Sequence, residues 1–257
     1  MRIIAIANQK GGVGKTTLTL TLGRALAERG RQVLLIDLDP QMSLTIALGV
    51  TDTEDRSLAD VIGGAVEGTT TLADVIRDLG GGLRLAPADL SMAANELGLT
   101  QRDRREYILA EALGAVTGDY VLIDCPPALS LLTINALASA AEVLIPFTPE
   151  YLGLRGLALF MQTIERARRI NQGLRVLGCL PMLVGHTKEH TQIIEVIGQR
   201  WPLIPITIGR SIRVAEATRI GESILTYEPS HPQSAAFREL AGWVESNPGS
   251  NRRGKQA

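Results

Sequence analysis

Eight consecutive residues, Lys10-Gly11-Gly12-Val13-Gly14-Lys15-Thr16-Thr17, bring together what a phosphate chain requires. Glycines free the backbone to curl so that its N–H groups point inward at an anion. Directly after Gly14, Lys15 supplies an ammonium suited to β- and γ-phosphates, and Thr16 a hydroxyl suited to Mg²⁺. Counted as Gly-x-x-x-x-Gly-Lys-Thr, the pattern opens one residue before Lys10, where Gln9 stands in place of the first glycine. A phosphate loop of this kind needs one lysine, and this one has two. Of 26 basic residues only Lys10, Lys15, Lys188 and Lys255 are lysines, so half of the lysines sit inside this motif. An ammonium is a compact point charge, whereas a guanidinium is wide and planar, so lysine is the better fit to a tight anion cradle.

Three carboxylates are placed to serve the same anion. Asp37 ends the apolar run Val33-Leu34-Leu35-Ile36, and Asp39 follows two residues later in Asp37-Leu38-Asp39-Pro40-Gln41. Asp124 ends Tyr120-Val121-Leu122-Ile123 and is followed by Cys125-Pro126-Pro127. Acids at the carboxyl ends of buried parallel strands face the ligand crevice of an open α/β sheet. Asp124 suits a magnesium ion held mostly through water, and Asp37 and Asp39 suit metal and water handling near a phosphate. The prolines stop the strand and stiffen the loop beyond it.

Each of these groups needs a strand to deliver it. Ile3 to Ala7 is an apolar run before the loop, and a helical pattern covers Leu18 to Arg29. Further strands are expected over Arg31–Asp37, Leu83–Pro87, Asp119–Asp124, Glu142–Phe147, Leu174–Leu180 (closed by Pro181) and Trp201–Ile208. Helices are expected over Arg102–Leu113, Leu129–Ala140, from the Gly156 region to Ile170, and over Pro232–Glu245. Between residues 44 and 80 only two short amphipathic turns are legible, around Leu58-Val61-Ile62 and Leu72-Val75-Ile76. Strands alternating with helices predict an α/β fold: a single doubly wound, mostly parallel sheet with helices on both faces. Residues 1–246 form this one domain, and the polar stretch 247–257 reads as a disordered tail.

A net charge of −1 excludes a global positive field, so contact with nucleic acid requires a local patch. Cys125 and Cys179 lie far apart in apolar runs and read as small buried hydrophobes, with neither a disulfide nor a metal site. No signal peptide precedes the first strand, and no apolar run reaches the length of a membrane span, so the expected location is cytoplasmic.

The loop Lys10-Gly-Gly-Val-Gly-Lys15-Thr-Thr resembles the deviant Walker A motif of the ParA/MinD ATPases, a P-loop NTPase group, and most of all the ParA (Soj-like) partition ATPases. Asp37-Leu38-Asp39-Pro40-Gln41 resembles the family's switch I segment, and Asp124-Cys125-Pro126-Pro127 its Walker B strand and switch II loop. Glu150-Tyr151-Leu152-Gly153-Leu154-Arg155-Gly156 resembles a turn near the family's dimer interface. The resemblance runs from Ile3 to about Val244. It implies ATP and Mg²⁺ as cofactors, with ATP held by residues 10 to 17 and the metal by Thr16, Asp37 and Asp124. It implies an ATP-sandwich homodimer in which Lys10 touches the partner's phosphates and Asp39 positions or activates the attacking water. It further implies slow hydrolysis stimulated by a ParB-like centromere-binding partner, non-specific binding to DNA, and nucleoid association in the ATP state. The chain departs from the family at Met42-Ser43, where Gly-Asn is common, and at Arg155, where an acid is common. It departs again at Pro181-Met182-Leu183-Val184-Gly185, where polar residues are common, so no base contacts are assigned.

Arg210, Arg213 and Arg219 place three arginines in ten residues and are the candidate DNA contacts. Pairing within the chain, to Glu216 or Glu222, is the competing reading. His186 and His190 stand four apart without an evident third ligand and read as a solvated helix start. Two other functions remain on the same scaffold. Positioning of a protein cargo without DNA partition stays open, but its membrane-surface form, of the MinD type, requires a basic amphipathic C-terminal helix, and Asn247-Pro248-Gly249-Ser250-Asn251 does not supply one. A metal-cluster carrier requires paired interface cysteines, which are absent from the sequence.

Overall fold

The computed structural model describes residues 1–50, 56–63, 70–100 and 102–247. The predicted polar tail falls almost wholly outside them. Chain order is β1 (Arg2–Ile6), α1 (Lys15–Glu28), β2 (Val33–Asp37), α2 (Ser43–Ala47), α3 (Leu58–Gly63), α4 (Leu72–Val75), β3 (Arg77–Asp78) and β4 (Leu83–Ala86). There follow α5 (Met92–Leu99), α6 (Ile108–Ala112), β5 (Tyr120–Asp124), α7 (Leu131–Ser139), β6 (Glu142–Phe147) and α8 (Tyr151–Ala167). The last elements are β7 (Arg175–Val184), α9 (Lys188–Arg200), β8 (Ile208–Gly209), α10 (Ile212–Arg219), α11 (Ile224–Tyr227) and α12 (Pro232–Ser246).

The strands form one sheet in the order β3-β4-β2-β5-β1-β6-β7-β8. Every pairing is parallel except β3 with β4, which is antiparallel at the edge. The expected doubly wound sheet is therefore observed. Alternation along each strand sends Ala5, Ile36, Val121, Ile123 and Val143 to one face, where α3, α5, α7 and α8 cover them. Ile4, Ile6, Leu35, Leu122 and Leu144 go to the other face, under α1, α11 and α12. Both faces are buried, which is why the strands read as continuous apolar runs. Because β1 lies between β5 and β6, the loop after it opens at a switch point of the sheet.

Three expectations about elements are corrected. The helix expected over Arg102–Leu113 spans only Ile108–Ala112. Arg104 sits at φ 55, outside the helical region, and neighbouring side chains take the backbone groups that a helix would have paired. Asn135 accepts from Leu109 N–H and donates to the Arg105 carbonyl. The strand expected over Trp201–Ile208 reduces to one bridge, Cys179 to Leu203, and the two-residue β8. Pro202 and Pro205 remove the donors that a ladder would need. Conversely, Pro181 does not end β7, which continues to Val184 with Pro181 in register with Phe147.

Candidate active site at the carboxyl edge of the sheet

Strand β1 delivers the glycine loop, which turns into α1 through two left-handed glycines, Gly12 (φ 72) and Gly14 (φ 87). A Cβ at Gly11 or Gly12 would meet nothing within 4 Å, so this side of the loop is open to a ligand. At Gly14 a Cβ would press on Met182 Cε at 2.9 Å. Gly14 also caps α1 without a side-chain hydrogen bond, and no acid occupies the first turn. The first N–H groups and the positive end of the helix therefore remain available to an anion.

Lys15 is buried to 8% exposure, and its nearest hydrogen-bond acceptor is the Lys10 carbonyl at 3.5 Å. Burial holds its ammonium below the ordinary lysine range, although the charges of Asp124, Cys125 and Asp39 oppose that shift. A desolvated cation facing open backbone N–H groups is a site that an anion completes.

The acids behind it come together by strand register. Asp37 at the end of β2 stands beside Asp124 at the end of β5. Thr16 Oγ1 donates to Asp124 Oδ2 at 2.7 Å, and Thr19 Oγ1 reaches Asp124 Oδ1 at 3.4 Å. Burial, reinforced by the Asp37 charge, pushes the Asp124 carboxyl well above the usual carboxylate range. Burial raises Asp37 to about 6, against hydrogen bonds from Thr45 and Asp39. Two buried carboxylates with a threonine hydroxyl beside them form a hard oxygen donor set that fits Mg²⁺. Between the ordinary carboxylate range and about pH 6, the folded chain holds a proton on Asp37 that the unfolded chain releases, so stability falls as pH rises through that window. Mg²⁺ must displace that proton. Millimolar Mg²⁺ is therefore expected to raise the melting temperature by roughly a few degrees at about pH 7.5 and by much less at about pH 5. Equal shifts at both pH values in a thermal melt would contradict this donor set.

Asp39 is partly buried at the same edge. Its N–H donates to Asp37 Oδ1 at 3.2 Å, and its own Oδ1 accepts from Gln41 N–H at 3.0 Å. Lys10 points elsewhere: its Nζ donates to Thr148 Oγ1 at 2.7 Å and to Glu150 Oε2 at 2.9 Å, at the turn into α8. That pairing holds the Glu150 carboxyl below the usual range. Both cysteines are buried, with burial pushing the Cys179 thiol up to about 12 and Cys125 higher still, so neither is a nucleophile.

The three candidate DNA arginines differ in their surroundings. Arg213 donates to Glu216 at 2.7 Å and to Glu228 at 2.9 Å, and lies over the Tyr227 ring. Arg210 and Arg219 are exposed. His190 is not a simple solvated residue: its Nδ1 accepts from Gly185 N–H at 2.8 Å in the loop before α9. Sequence reading missed a cavity of about 90 Å³ beside Gly14 and Thr17, lined also by Met182, Ile208, Ser211 and Val214. Its lining comes from β7, β8 and α10, and no local pattern marks it. Thr19, Thr45 and Thr148 were missed as well, since a lone threonine carries no signature.

Residues 1–176 match a family described as an AAA domain. The chain is 40% identical over 255 residues to the chromosome partitioning protein ParA of Caulobacter vibrioides, covering 96% of this chain and 94% of that one. It belongs to the ParA/MinD family of ATPases. The sporulation initiation inhibitor protein Soj of Bacillus subtilis is 36% identical over 253 residues, covering 96% and 99% of the two chains. Among solved structures, one described as cobyrinic acid a,c-diamide synthase from Mycobacterium smegmatis, with bound ADP and magnesium, superposes with a TM-score of 0.81. It is 35% identical to this ParA/MinD-family chain and covers 96% of it and 95% of its own length. Among the described residues no helix is long and apolar enough to cross a membrane.

Proposed function

We propose that this chain is a ParA-like positioning ATPase that binds ATP with Mg²⁺, closes an ATP-sandwich homodimer and hydrolyses the nucleotide slowly. The observation that carries the reading is the division of labour between the two lysines. Lys15 is buried at the mouth of the cradle, whereas Lys10 leaves its own loop for Thr148 and Glu150. A lysine that its own cradle does not use is available to a second copy. In this reading residues 10 to 17 hold the phosphates through backbone N–H groups and Lys15. Thr16 and Asp124 hold the metal, supported by Asp37. Bound Mg²⁺ supplies charge neutralisation between the phosphates. Asp39 holds the attacking water at the edge of the site. The γ-phosphate then acts as a switch, stabilising one assembly until it is lost.

The dimer would bind DNA without sequence preference and place a plasmid or chromosome, with a ParB-like partner stimulating hydrolysis. Arg210 and Arg219 would offer exposed charge to phosphates, and Arg213 would exchange its carboxylate partners for them. Binding to an arbitrary duplex, measured across a salt series with ATP and with ADP, tests this. Tight binding with ATP alone, falling steeply with salt, is expected. Each of Arg210→Ala, Arg213→Ala and Arg219→Ala is expected to lower affinity at every sequence alike and to reduce the logarithmic salt slope by about one. No binding in either nucleotide state would remove the DNA platform while leaving the ATPase.

A further inference from the structure

Thr45 on α2 is fully buried, and its hydroxyl and backbone N–H both face the acid that adjoins the candidate metal site. Its hydroxyl donates to Asp37 Oδ2 at 2.7 Å and accepts from Ala88 N–H at 2.9 Å. Its own N–H donates to the same Asp37 oxygen at 2.8 Å. The other oxygen of Asp37 accepts from Asp39 N–H. A carboxylate has about four lone-pair positions, and here the protein takes three. Asp37 is thus a bracket between Asp39 and α2, with one lone-pair position left over.

The chain between the two needs such a bracket. Met42 adopts the left-handed region at φ 57, which an L side chain disfavours, and its N–H donates to the Asp39 carbonyl. A strained turn keeps its path only where its flanks are held. Asp39 is held on one side through Asp37, and α2 on the other through the same carboxylate and Thr45. Ala88 adds an anchor from the chain beyond β4.

We propose that Thr45 is a positioning residue for hydrolysis, holding Asp39 at the phosphate edge through Asp37 and tying it to the exit of β4. This rests on the reading of Asp39 as the water-handling residue. Valine matches threonine in shape and lacks only the hydroxyl. Thr45→Val is expected to lower kcat about tenfold or more while KM for ATP and affinity for a fluorescent ADP analogue stay within about twofold, because displacement of a catalytic group acts on the chemical step. Thr45→Ser, which keeps the hydroxyl, should recover most of the rate. If valine is not accommodated in the fold, Thr45→Ala should show the same split. A fall in ADP affinity that parallels kcat, or failure of serine to rescue, would overturn the proposal in favour of a packing role. Asp39→Ala, measured beside them, separates the two levels. If Asp39→Ala is inactive and Thr45→Val turns over normally, the positioning role alone is wrong. If Asp39→Ala itself hydrolyses at the parental rate, the reading beneath it fails.

Discussion

Lys15→Ala is expected to weaken nucleotide binding by about two to three orders of magnitude, the cost of removing one member of a buried charge pair. The geometry makes the loss large for two reasons. The ammonium is already desolvated in the free chain, so an arriving phosphate meets a cation that water does not screen. The same ammonium is the cation that lowers the carboxyl of Asp124, so its removal raises that pKa further and weakens the metal site too. The chain itself should still fold, since the two cores that flank the sheet do not include Lys15. Titration of a fluorescent ADP analogue in the presence of Mg²⁺, with circular dichroism as the folding control, measures the effect. Retention of parental affinity would show that the backbone cradle suffices and that Lys15 is dispensable.

Lys10→Ala should separate binding from assembly. In the free chain the Lys10 ammonium rests on Thr148 and Glu150, 138 and 140 residues away in sequence. The pair is partly exposed, so leaving it costs little, on the order of 1 kcal/mol or less. A short reach into a partner's phosphate site would be repaid by charge-assisted hydrogen bonds in a desolvated interface. Nucleotide affinity of the monomer is therefore expected to change by no more than a few-fold, while ATP-dependent dimerisation weakens by about a hundredfold or more and hydrolysis is lost. Light scattering with a non-hydrolysable ATP analogue reads the first effect and phosphate release the second. Lys10→Arg should not restore assembly, because a planar guanidinium does not replace a compact ammonium in a tight cradle. Normal dimerisation of Lys10→Ala would remove the lysine from the interface.

The DNA-contact proposal is shaped by what surrounds Arg213. Of its two carboxylate partners the sequence offered Glu216, but it offered Glu222 where the structure brings Glu228, and nothing in a run of three arginines pointed to the Tyr227 ring. Replacement of Arg213 also frees Glu216 and Glu228, so its effect on DNA combines a lost cation with two uncovered acids. Arg210 and Arg219 provide the cleaner measurement.

Sequence alone determined the loop from Lys10 to Thr17, the carboxylates Asp37 and Asp124, and the parallel sheet that carries them. The reason is that these depend on local rules. Glycine permits the positive φ at Gly12 and Gly14, and an apolar run closed by an acid is a buried strand with its functional end marked. Where local rules were opposed by distant partners, sequence was misleading. Asn135 capped the segment before α6 and shortened the helix. The run Trp201–Ile208 failed as a strand for a local reason instead, since Pro202 and Pro205 within it remove ladder donors. Only the tertiary structure could decide which partner each polar group found. Lys10 meets Glu150 because β1 and β6 are neighbours, and Asp37 stands beside Asp124 because β2 and β5 are paired in register. Thr45 reaches Ala88 because α2 returns over the end of β4's neighbour, β2. Strand order is a global property of the packed chain, and the hydrogen bonds that tune this site are set by that order and by no single stretch of residues.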